Sequence, residues 1–338
     1  MRRFIVLLFI LLTLSCTEDK VIVNSTFKQK FLLASDENQS SMILFDSEDG
    51  ILEDDVYLKN NGKKLQGKVF AIEEWGNLLF LIMKDNYAIE IIGKNDFKIV
   101  STIDFSGNKK KPSGIDFVNS TDAYISFEND SNVVLYDLYN FQIAKYIKVP
   151  FGSVDLVAVP PYVYVVNQLD DKVSIIDSRT DELINQISVK PAPTFIDYAD
   201  NIGKTVVVSL GEGKIDQKQK TAAYLTLIDI NSQNKTSEIP IAAGTLEASE
   251  ILPKGMIIAG NYCFVVTSDF IFRYDVKNEP SQIQLLSKKS IKSLKYFPLR
   301  NKVIVLENDN TFTYSNIYTL AAAYSFQIEK NISVVHPL

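Results

Sequence analysis

Histidine is almost missing from this 338-residue chain: His336, next to the C-terminus, is the single one, and cysteine occurs only at Cys16 and Cys263. A lone terminal imidazole argues against Ser-His-Asp and Cys-His catalysis, which need a central base, and no HExxH segment or Cys/His metal cluster is present. Two cysteines build no disulfide framework, and Cys263 lies inside the apolar run Tyr262 to Val266, a core position. Basic clusters are scarce as well. With 35 Lys and Arg against 41 Asp and Glu, the net charge of −6 offers no cationic face for phosphates, so nucleic acid is not the expected partner. Beyond the first residues no apolar run approaches the about 20 residues of a membrane span. No segment keeps a 3.6-residue apolar period, whereas short runs of Val, Ile, Leu, Phe and Tyr recur throughout, so the chain reads as all-β.

The N-terminus is built differently. Arg2 and Arg3 precede the apolar run Phe4 to Leu12, which ends in Thr13-Leu14-Ser15-Cys16. This is a signal-peptide pattern, and its end resembles the bacterial lipobox, with Thr13 where Leu is usual. The reading is a signal peptide at 1–15, lipidation of Cys16, a tether at 16–29 and one folded domain at 30–338. Glu18 and Asp19 resemble the short export signal of Bacteroidetes surface lipoproteins; an ordinary solvated linker is the equal alternative. The expected location is the outer membrane at the cell surface, or else its periplasmic leaflet. The chain would be a monomer that touches the membrane only through its anchor.

Internal repetition supplies the architecture. The clearest unit runs Tyr162-Val-Tyr-Val-Val-Asn167, turn, Lys172-Val-Ser-Ile-Ile-Asp177, turn, Glu182 to Val189, then Pro191-Ala-Pro193. Strand-ending acids recur at Asp46, Asp137, Asp177, Asp229 and Asp275, each suited to accept from the N–H groups of the following turn. Laid out as strands a (innermost) to d, the chain yields seven four-stranded antiparallel blades whose b strands begin near Phe31, Leu78, Ala123, Tyr162, Lys204, Tyr262 and Lys302. This predicts a seven-bladed β-propeller; a pair of β-sandwiches explains the strands but not the period. Blade one lacks an a strand, and Ile332-Ser-Val-Val335 is left over, so these last residues are predicted to close the ring. His336 is then expected as a surface cap.

In such a disc the b-to-c and d-to-a connections share one face. The long excursions fall there: Gly211 to Ala222 and Ala242 to Lys254 around blade five, and Asp104 to Ser113 before blade three. Candidate ligand contacts on this face are Lys109, Lys110, Glu128, Asp130, Gln168, Asp170, Glu212, Lys214, Gln219, Glu307 and Asn308. A mixture of acids, amides and lysines suits a polar, bulky ligand and offers no catalytic constellation. No cofactor or resident metal is expected, and the reading is non-enzymatic. The alternative is a carboxylate site on the inner strands, with Glu73, Asp116, Asp155 and Asp197 holding Ca²⁺ as in propeller lactonases.

The unit at 162–193 resembles the YVTN propeller repeat. Asp54-Asp-Val-Tyr-Leu-Lys-Asn-Asn-Gly-Lys-Lys-Leu65 and Val206 to Asp229 are similar to YncE-like propeller lipoproteins of Bacteroidetes. That resemblance implies a surface lipoprotein and, for some members, capture of cobalamin for a TonB-dependent transporter. A protein-interaction scaffold in the envelope is a further reading.

Overall fold

A computed structural model describes residues 28–37, 40–212, 221–242, 251–279, 282–287 and 291–338, with the backbone of 214–215 and 218–219. The signal peptide, Cys16, most of the tether and residues 243–250 of the second excursion lie outside the described residues.

Seven four-stranded antiparallel sheets follow one another around a ring. The six inner strands drawn from the middle of the chain are Ala71–Trp75, Lys111–Phe117, Ser153–Val159, Pro193–Ala199, Gly255–Ala259 and Ile291–Phe297. The inner strand of blade one is Ile332–Pro337, paired antiparallel with Lys30–Ser35 in the register Leu33↔Val335. The predicted closure therefore holds. It joins the start of the domain to its end: Gln29 Nε2 donates to the Leu338 carbonyl at 2.8 Å.

The b strands explain why the repeat was legible. Leu78–Met83 reads LLFLIM and is buried almost throughout, because a b strand packs against a neighbouring blade on each face. Each interface between blades carries one apolar cluster, seven in all among the described residues. The closing interface is the most aromatic: Phe31 and Phe45 of blade one meet Phe312 of blade seven at ring-centroid distances of 5.2 and 5.4 Å. The d strands face water on the rim and alternate, as in Gln142–Lys148.

The strand-ending acids act as turn acceptors. Asp137 Oδ1 accepts from the N–H groups of Tyr139 and Asn140, Asp229 Oδ1 from those of Asn231 and Ser232, and Asp275 Oδ1 from those of Lys277 and Asn278. Asn167, ending the best-formed repeat, is fully buried, donating to the Pro150 carbonyl and accepting from Ser174 Oγ.

One expectation is corrected, and the all-β chain carries a short, unanticipated α-helix, Val56–Asn61. Its six residues are too few for apolar periodicity to register. The signals present were its caps: Asp55 Oδ1 accepts from Leu58 N, and Gly62 closes the helix at φ +67°. The corrected expectation is His336, which is no surface cap. It is 3% exposed, between blades one and two, with Nε2 3.1 Å from Glu74 Oε2.

Candidate functional site

An inner strand has a hydrogen-bonded neighbour on one edge only, so the amides and carbonyls of its other edge need partners. Side chains supply them, reaching from one blade to the next. Asp116 Oδ2 accepts from Ala158 N at 2.7 Å, Asp155 Oδ2 from Ile196 N at 3.0 Å, and Asp197 Oδ2 from Ile258 N at 2.8 Å. The second oxygen of each accepts from the N–H of the following residue on its own strand. Blades three to six are thus fastened by carboxylates.

The remaining arc is fastened by donors to carbonyls. Lys254 donates to Ile291 O, Lys292 to Ile332 O, Lys295 to Ile72 O, and Ser333 Oγ to Val69 O. Acidic wall on blades two to five therefore faces basic wall on blades six and seven.

Between these walls lies a cavity of about 1150 Å³, bordered by inner-strand residues of all seven blades. Burial in its wall pushes Asp116 up to about 6, Asp155 to about 7 and Asp197 to about 6, outweighing the bound N–H groups, with repulsion from neighbouring carboxylates adding to it. Glu74, at the seam beside it, is held down to about 2 by its hydrogen bond to His336 and, against burial, by Lys94. Burial lowers His336 despite Glu74. Among the described residues His336 Nδ1 has no hydrogen-bond partner.

The predicted contacts divide sharply. Glu128 and Gln168 border the cavity at its loop-side mouth, with Asn129, Thr194, Phe70, Lys84 and Lys254. Gln168 Nε2 donates to Thr194 Oγ1 at 2.8 Å. Lys84 Nζ is 2.8 Å from Glu128 Oε1 and 3.4 Å from the centroid of the Phe70 ring. Lys110 and Asp130 form an ion pair beside the Phe127 and Tyr146 rings. Asp170 Oδ2 accepts from Phe151 N, a loop-building contact. Lys109, Asp170, Glu212 and Asn308 are exposed and outside the cavity lining, and Glu307, half-buried, is outside it too. Lys214 and Gln219 face each other in a two-stranded hairpin within the blade-five excursion.

Sequence reasoning missed Lys84 and Phe70. Lys84 opens a short b-to-c connection in blade two, and Phe70 ends the helix-bearing d-to-a connection 54–70; neither belongs to the insertions that the repeat makes visible.

The Asp54-to-Leu65 segment has a structural task. Val56, Tyr57 and Leu65 fill the core between blades one and two, where the Tyr57 hydroxyl donates to the buried Glu90 carboxylate.

A family model described as "Domain of unknown function (DUF5074)" matches residues 35–305. No curated protein matches the chain. Among solved structures, Kuenenia stuttgartiensis hydrazine synthase is similar in fold, at TM-score 0.62 and 13% identity, covering 74% of this chain and 76% of that one. Identity that low carries the propeller architecture and nothing of the chemistry.

Proposed function

The chain belongs to the DUF5074 family, and from that premise we propose that it is an exported, lipid-anchored propeller that binds a ligand at the loop-side mouth of its central cavity and performs no chemistry on it. One observation carries the reading. A cavity of about 1150 Å³ opens among Phe70, Lys84, Glu128, Asn129, Gln168 and Thr194, an aromatic ring, a charge pair and amides. Its size lies just above the roughly 300–1,000 Å³ typical of small-molecule pockets, which suits a bulky ligand. Asp116, Asp155 and Asp197 support the non-catalytic part, because each carboxylate already holds two main-chain N–H groups.

The resemblance to YncE-like propellers makes a corrinoid the first ligand to try, presented to a TonB-dependent transporter at the outer membrane. Calorimetry with cyanocobalamin tests this. Saturable binding is expected, weakened about tenfold or more in the Asn129→Ala, Gln168→Ala double variant, the scale of one or two hydrogen bonds. Absence of heat with the wild type removes the corrinoid; unchanged affinity in the variant removes the mouth as its site. Cys16→Ser should release the protein from the membrane fraction.

A second reading, an envelope interaction scaffold, has its own support. Phe151 and Leu169 are 43% and 55% exposed on the loop face, on two connections joined by the hydrogen bond from Gln168 N to Gly152 O at 2.7 Å. Cross-linking in intact cells, comparing Phe151→Ser with wild type, distinguishes it.

A further inference from the structure

We propose that the part of the cavity mouth formed by blades six and seven is an oxyanion site centred on Lys254, taking a carboxylate or phosphate group of the ligand. The inference deepens the function proposed above and rests on the cavity being a ligand site.

Lys254 is exposed and borders the cavity. An ammonium offers three donors. Among the described residues its one hydrogen-bond acceptor is the main-chain carbonyl of Ile291, and no carboxylate forms an ion pair with it. The other two cavity lysines are matched: Lys84 by Glu128 at 2.8 Å and Lys295 by Glu73 at 3.5 Å.

One blade further on, Lys292 repeats the pattern. Its ammonium donates to Asn310 Oδ1 at 2.7 Å, Asn331 Oδ1 at 2.5 Å and Ile332 O at 2.9 Å, all neutral oxygens. Both lysines are pushed below their ordinary pKa by burial; the carboxylates acting on them are Asp269 for Lys254, and Asp36 and Asp309 for Lys292. Asp36 is itself paired with Lys68 at 2.8 Å.

Two ammonium groups without a carboxylate in contact, on one arc of a chain with net charge −6, create a local positive potential in an otherwise acidic protein. Lys292 spends its donors on fixing the blade seam. Lys254, with two donors left and the cavity beside it, can give them to a ligand oxygen. Ser293, on the same cavity wall, offers a hydroxyl to the same anion. The acidic wall opposite would repel that group, so the ligand would enter in one orientation.

Calorimetry on the full-length protein with orthophosphate in one arm and citrate in the other separates the two sources of oxyanion. At least one is expected to bind saturably. Lys254→Met should weaken it about tenfold, the scale of a charge-assisted hydrogen bond, while Lys254→Arg retains it. Lys59→Met, at an exposed position outside the cavity lining, should leave it unchanged, and circular dichroism should show every variant folded. Should Lys254→Met disturb the fold, Lys254→Gln takes its place. Equal affinity in wild type and Lys254→Met, or no saturable binding of either anion, overturns the assignment. A cyanocobalamin result that still depends on Asn129 and Gln168 would then leave the cavity reading standing without the anion site.

Discussion

Asp155 shows how one residue type serves two demands. Its carboxylate satisfies an amide on its own strand and another on blade five, yet the channel wall raises its pKa to about 7. Asp116 and Asp197, at about 6, behave alike. An unfolded aspartate titrates near about 3.9, so between roughly pH 4 and 7 the folded chain binds protons that the unfolded chain does not. Their contribution is therefore full at low pH and is lost as pH rises through 6 to 7. Glu74 acts oppositely: held at about 2, its contribution is present at neutral pH and is lost only as the pH falls well below the ordinary carboxylate range. The melting temperature should rise as pH is lowered from 8 to 5, and Asp155→Asn should flatten that slope. A scanning-fluorimetry profile that falls over this interval would contradict the assignment of these three groups.

At the scale of single elements, the helix Val56–Asn61 is held by its ends and by one buried face. Asp55 provides the side-chain acceptor at its start, and Gly62 has open space around a would-be Cβ but a positive φ. Asp55→Ala should cost about 1 kcal/mol, the usual worth of an N-cap, read from the urea midpoint at unchanged slope. A helix this short is marginal alone and exists because Val56 and Tyr57 enter the core between blades one and two. The Asp54-to-Leu65 motif, read from sequence as a mark of kinship, is thus a packing device.

For the whole molecule the decisive feature is closure. Residues 332–337 complete blade one, and each blade buries an apolar cluster against the next. Such a ring should unfold as one unit, with calorimetric and van't Hoff enthalpies in agreement. Removing residues 331–338 would expose the b strand Lys30–Ser35 along a free edge and strip Ile332, Val334 and Val335 from two interfaces. The expected outcome is loss of that single transition, with aggregation through the open edge. A truncated chain that melts as sharply as the intact one would show that closure is not what secures the ring.

The number of blades, their strand order, the terminal closure and the turn-accepting aspartates were all legible in the residues, because each depends on local alternation or on a repeat period. Gln168 and Glu128 were reached by the same route, since topology alone assigns their loops to one face. The burial of His336, the pairing of Lys84 with Glu128, the division of the channel into carboxylate and lysine arcs and the lack, among the described residues, of a carboxylate paired with Lys254 were decided only in three dimensions. The reason is physical: a side chain's partner across a propeller sits a blade or more away in sequence, and which donor meets which acceptor depends on the register and radius of the closed ring, quantities that no single strand encodes.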